Sequence, residues 1–141
     1  MMKKLICLLP LLIFIAGCVK TNIDQPEPLV PYGTFAGKFT RTYIDPATSA
    51  KTTVTANIQL VMSDTGFILT SDADAVHANG MGDYLGNETT IEFKDSNNPT
   101  TGPPPTKSYL NGVFNYAYDG YNFRIFKVSG DDTYDYLFTK K

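Results

Sequence analysis

The sequence predicts an all-β domain, built as a single antiparallel up-and-down β-barrel of about eight strands or, alternatively, as a β-sandwich. Three observations carry that prediction. From Tyr32 to the C-terminus, apolar residues recur with a period of two, the spacing of a half-buried strand. The chain holds 9 Phe and 9 Tyr but no Trp, and it lacks the long Leu/Ala/Glu/Lys stretches that favour helix. Clusters of Asp, Asn, Gly, Ser and Pro separate the alternating runs at short intervals, as hairpin turns require.

The elements follow in order. In residues 32–44, YGTFAGKFTRTYI, Phe35, Gly37, Phe39, Arg41 and Tyr43 share one face, and DPATSA (45–50) is a turn. In KTTVTANIQLVM (51–62), Val54, Ala56, Ile58, Leu60 and Met62 alternate with Thr53, Thr55, Asn57, Gln59 and Val61, one face dry and one wet. SDTG (63–66) turns that strand into FILTS (67–71). Residues 71–82 show no period and read as a loop with room for a short helix or strand, and 82–95 reads as two short strands about Gly86-Asn87. SNNPTTGPPPTK (96–107) carries four prolines and reads as loop. The last third is a meander: a strand over 108–118, a turn at Asp119-Gly120, a strand over 121–128, a turn at 129–132 and a strand over 133–139.

Ahead of these strands lies a different kind of segment. Lys3 and Lys4 precede an apolar run from Leu5 to Ile15 that is interrupted by Pro10. That run is shorter than the roughly 20 residues of a spanning helix and matches a secretory signal peptide. Its end, Ile15-Ala16-Gly17-Cys18, resembles the bacterial lipobox. The resemblance implies cleavage after Gly17 and lipidation of Cys18, so that residues 1–17 are a lipoprotein signal peptide. Two or three buried acyl chains anchor stably, since each CH₂ contributes about 0.8 kcal/mol. Cys7 falls in the discarded part, so the mature chain can form no intramolecular disulfide. Residues 18–31, with three prolines, read as an extended tether of roughly 40 Å, leaving 32–141 as the domain.

Several stretches together resemble the lipocalin-like (calycin-type) small lipoproteins common in Bacteroidota. They are YGTFAGKF, GDYLGNETTIEFKD, LNGVFNYAYDGYNFRIFK and the terminal YDYLFTKK, which cover nearly the whole domain. The resemblance implies an eight-stranded barrel with any ligand in its mouth. Phe35 stands where lipocalins carry a tryptophan after Gly-x, so the arginine that packs on that ring in the family is not assigned to Arg124. Phe35, Phe39, Phe114, Tyr116, Phe123, Tyr134 and Tyr136 are the residues expected to line a ligand cavity or to fill the core, with Leu110 and Ile125 beside them. An eight-stranded barrel is just wide enough to be filled by side chains or to hold one small ligand. So many rings favour the filled interior.

With Lys3 and Lys4 removed, 10 of the 12 basic residues remain against 14 acidic ones, a net charge of −4 without any basic cluster. That balance disfavours nucleic acid as a partner. No catalytic or metal-binding constellation emerges. Asp64-Thr65-Gly66 matches the aspartic-protease triplet but lacks a second copy and its apolar flank, and it suits a turn. Asp72, Asp74 and Asp83 lack the spacing of a calcium loop. His77, the single histidine, has no companions for zinc and no nucleophile motif, and it reads as an ordinary loop residue. Asp131-Asp132 reads as turn polarity. Tyr116, Tyr118 and Tyr121 suit either sugar stacking or cross-strand packing. Asn87-Glu88-Thr89 fits a glycosylation pattern foreign to a bacterial lipoprotein.

The expectation is therefore a lipid-anchored protein of the cell envelope, at the outer membrane on its periplasmic or its surface face, without enzymatic activity or cofactor. It would bind a small apolar or glycan ligand or an envelope protein partner. The alternative is a structural or assembly protein whose filled core docks a larger complex.

Overall fold

A computed structural model describes residues 30–102 and 106–141. The signal peptide, Cys18 and all but the last residues of the tether lie outside the described residues, as do Pro103, Pro104 and Pro105. Eight strands form: β1 (Gly33–Ile44), β2 (Lys51–Ser63), β3 (Gly66–Ser71), β4 (Gly80–Gly86), β5 (Thr90–Asp95), β6 (Gly112–Tyr118), β7 (Asn122–Ser129) and β8 (Asp132–Lys140). Each pairs antiparallel with the next, and β8 returns to pair with β1. The sheet is thus a closed up-and-down barrel rather than a sandwich, and closure leaves no edge running the length of the wall.

The period-two pattern sets what faces inward. Phe35 and Phe39 of β1, Ala56 to Met62 in alternation on β2, Phe67 and Leu69 on β3, and Ile91 and Phe93 on β5 are buried. Phe114, Phe123, Ile125, Tyr136 and Phe138 complete the same core from β6, β7 and β8. Gly37 sits at the closing seam, opposite Phe138, where a Cβ would run into the Leu137 carbonyl oxygen. The β2–β3 turn needs Gly66 for its φ of +123°, which L side chains rarely adopt.

The wall is uneven in height. β1 and β2 pair all the way to Ile44↔Lys51, and β8 and β7 rise with them to Ser129↔Asp132. Pairing on the opposite side is shorter, with β3 and β4 joined only from Phe67↔Gly82 to Leu69↔Gly80. Two long connections, residues 72–79 and the described parts 96–102 and 106–111 of the other, fold across this sloping end as a lid, crossing at a parallel bridge between His77 and Ser108. The other end carries short turns, the start of β1 and the end of β8, so the chain enters the barrel there at Gly33.

Two boundaries differ from the sequence expectation. The strand expected over 108–118 begins only at Gly112, because Ser108 to Asn111 belong to the lid, with Leu110 still fully buried. Within the aperiodic stretch 71–82, the lid takes residues up to Asn79 and β4 begins at Gly80. No helix forms among the described residues.

Candidate functional site

The barrel interior holds a continuous stack of rings. Near the tether end, Phe35 lies 5.5 Å from Phe123 and 5.9 Å from Tyr118, centroid to centroid, and Phe123 stacks on Phe138 at 5.7 Å. Phe138 continues to Tyr136 at 6.2 Å, and Tyr136 meets Phe39 at 4.7 Å and Phe114 at 5.7 Å. Phe114 then leads to Phe93 and Phe93 to Phe67, at 6.0 and 5.1 Å. These are the separations of rings in direct tilted, edge-on or offset contact. Of the seven residues expected to line a cavity or fill the core, Phe35, Phe39, Phe114, Phe123 and Tyr136 are buried, while Tyr116 and Tyr134 are half-buried against them.

The lid end carries the buried polar chemistry. His77, expected as an ordinary loop residue, is instead fully buried, because the bridge to Ser108 folds its segment inward over Phe39. Its Nδ1 donates to the Ala78 carbonyl at 2.7 Å. Because a carbonyl only accepts, Nε2 is the acceptor, and it takes the Tyr136 hydroxyl proton at 2.9 Å. Burial pushes the His77 imidazole down to about 4 and drives the Tyr136 phenol well above its usual range. Backbone bonds of 2.9 Å from Ala78 N–H to the Ser108 carbonyl and from Ser108 N–H to the Val76 carbonyl tie the two lid segments together.

Asp95 closes the inward row of β5. Its Oδ1 accepts from Asn97 N–H at 2.9 Å, whereas Oδ2 is buried without a partner among the described residues, as is Ser108 Oγ. Burial raises the Asp95 carboxyl above its ordinary value. Lys127 points inward from β7, with Nζ 2.7 Å from the Asn111 carbonyl and 4.3 Å from the Phe114 ring centroid. Burial lowers its ammonium. At the rim, Asp132 receives both Nε and Nη2 of Arg41, at 2.7 and 3.1 Å, so it does more than supply turn polarity.

The remaining candidates do not converge. Ser63 to Gly66 is the β2–β3 turn, with Ser63 Oγ donating to the Gly66 carbonyl. Asp72 accepts from the backbone N–H and side-chain Nδ2 of Asn57, and Asp74 pairs with Lys107 at 2.8 Å. Asp83 stands opposite Lys94 on the strand pair β4–β5. Among the described residues, no three His, Cys, Asp or Glu side chains gather as metal ligands would. Tyr118 packs edge-on against Phe35 and Phe123, Tyr116 packs on Phe123 and bonds the Asn87 carbonyl, and Tyr121 is exposed. Arg124 lies on the outer wall, paired with Asp135 and set over Phe126, away from Phe35's ring cluster.

Comparison with protein-family models, with curated proteins and with solved structures returns no match. Open grooves of about 370 and 300 Å³ lie along the outside, one beside Tyr118, Asn122 and Leu137 and one beside Ile68 and Met81. Val61, Ile68 and Met81 stand in one cross-strand row over β2, β3 and β4, with Ile68 and Met81 each about half exposed.

Sequence reasoning missed His77, Asp95, Ser108 and Lys127 as interior residues. Two of them carried a usable signal. Asp95 continues the inward phase of Ile91 and Phe93, and Lys127 continues that of Phe123 and Ile125. His77 and Ser108 lie in aperiodic connections, where nothing local foretells a fold across the barrel.

Proposed function

We propose that this chain is a lipid-anchored envelope protein of the lipocalin-like kind that acts without catalysis, docking an envelope protein partner through its outside. One observation supports that reading above the others: the rings from Tyr118 to Phe39 and Phe67 touch in sequence and occupy the space a small ligand would need. Binding sites for small molecules are usually preformed concavities of several hundred Å³ that enclose most of the ligand. The grooves here are open to the outside, and an apolar row lies along one of them, as on surfaces that meet another protein. Anchoring rests on the Cys18 motif and its signal peptide.

Native mass spectrometry of the protein purified from its own host tests both parts. The expected result is a stoichiometric protein partner and an N-terminal cysteine heavier by its acyl groups. A small molecule retained by the barrel, or a bare soluble N-terminus, overturns the reading.

A further inference from the structure

We propose that the lid-end half of β2, Lys51 to Thr55, is a docking edge onto which a partner protein adds an extended segment as an antiparallel strand. This rests on the docking reading above and places the contact on this strand edge rather than on the row of Val61, Ile68 and Met81. β2 stays paired with β1 to its very start at Lys51, but its pairing with β3 begins only at Ile58↔Ser71. Asp72 extends the contact by one position, its N–H donating to the Asn57 carbonyl at 3.1 Å and its carboxylate accepting from Asn57 N–H at 2.9 Å. Backbone groups along a strand alternate in direction, so the N–H and C=O of Thr55, Thr53 and Lys51 face the same side as those of Asn57. Among the described residues, none of these groups has a protein partner on that side. All five residues from Lys51 to Thr55 are exposed. On this uneven wall they form an open edge, longer than the three-residue stretches Tyr84–Gly86 of β4 and Lys127–Ser129 of β7 that also outrun a neighbour.

The edge specifies its occupant. Donor–acceptor pairs repeating every second residue, about 6.8 Å apart, match another extended backbone. The occupant is a different protein because of where the tether arrives. Gly33 and Lys51 stand at opposite ends of the β1–β2 pair, so the edge points away from the anchored end by roughly 35 Å. Antiparallel pairing with the same edge of a second copy would turn that copy's tether the other way and would set only Lys, Thr or Val beside Lys51, never a carboxylate. Side chains add detail. The Lys51 ammonium has no carboxylate partner among the described residues, and Val54, on the inner face, is 39% exposed. The segment recognised is therefore extended and β-branched, with a carboxylate beside Lys51 and an apolar side chain beside Val54.

The test uses the full chain in its native envelope, carrying a photo-cross-linking amino acid at position 53, 68 or 113. Positions 68 and 113 are exposed on the outer wall away from the edge. The expected result is an adduct at 53 with a different protein, mapping to one segment of it. Thr55→Pro should lower its yield at least tenfold, while Thr55→Ser leaves it unchanged. Proline fits there because Thr55 N–H bonds nothing within the barrel, and edge strands tolerate it. Thr53→Pro, read with the cross-linker at 55, is the second variant, and melting curves confirm that each remains folded. Adducts that persist through both prolines, or that join two copies of the chain, overturn the proposal. Adducts at 68 or 113 but not at 53 refute the edge and leave docking standing. Adducts at none of the positions refute the edge, and the native mass spectrum then decides whether a partner docks elsewhere.

Discussion

His77 Nε2 and the Tyr136 hydroxyl meet at 2.9 Å inside the barrel, joining the lid to the inner face of β8. The bond is fixed in direction, since His77 Nδ1 is committed to the Ala78 carbonyl. Tyr136→Phe keeps the ring contacts with Phe39 and Phe114 but leaves Nε2 buried without a donor. The expected loss is about 1–3 kcal/mol in urea unfolding. Amide exchange at Ala78 and Ser108, whose bonds knit the lid, should accelerate more than exchange in the β1–β2 ladder. Equal acceleration in both would mean that the bond does not hold the lid.

The same pair makes stability depend on pH. The folded imidazole sits at about 4, against about 6.5 for an unperturbed histidine. Between those values the unfolded chain binds a proton that the folded chain refuses, so stability falls as pH drops from 6.5 to 4. The fall is at most about 3 kcal/mol, complete below 4 and absent above 6.5. Asp45, Asp74 and Asp119 are held below the ordinary carboxylate range by their hydrogen bonds, so their losses come at lower pH. His77→Gln should flatten the pH 6.5–4.5 limb of the unfolding curve, and an unchanged slope would assign it to another group.

How far the sequence reaches can be seen by comparing β2 with the lid. In KTTVTANIQLVM, alternation alone gives the buried set Ala56, Ile58, Leu60 and Met62, because a strand with one wet face writes its orientation into every second residue. Val54 has the same phase yet is exposed, because the strand outruns its neighbour β3, and strand length relative to a neighbour is not a local property. The lid is opaque for a related reason. His77 and Ser108 meet across 31 positions in segments without period, and only the closed barrel brings them together. The choice of barrel over sandwich likewise depends on whether β8 finds β1, a pairing between the two ends of the domain.

Asp95 is the acid that the core tolerates least. One oxygen is bonded and the other is buried over Gly80, so burial raises the carboxyl. With the folded value above the unfolded one, the folded state favours the proton. Ionised Asp95 therefore costs stability at neutral pH, and the cost disappears as pH falls below the unfolded value. Asp95→Asn keeps an acceptor for Asn97 N–H and removes the charge. The expected gain is about 1 kcal/mol at pH 7 and none at pH 3, read from thermal melts at both. A loss at pH 7 would mean that the charge is matched by a group on the lid.

Phe35 offers the most direct probe of the filled interior. Its ring is fully buried among Tyr118, Phe123 and Phe138, contributed by three other strands, so truncation leaves a void that no single neighbour can fill by rotation. Phe35→Ala should cost about 3–5 kcal/mol, the transfer of the ring plus the cavity it leaves. A dry apolar void of that size takes up benzene or xenon, so the variant's melting temperature should rise with added benzene while the parent's does not. A loss below about 1 kcal/mol, or a parent protein that benzene stabilises equally, would mean that the barrel already holds a cavity. In that case an apolar ligand in the interior, rather than a partner on the outside, becomes the better account of what this protein binds.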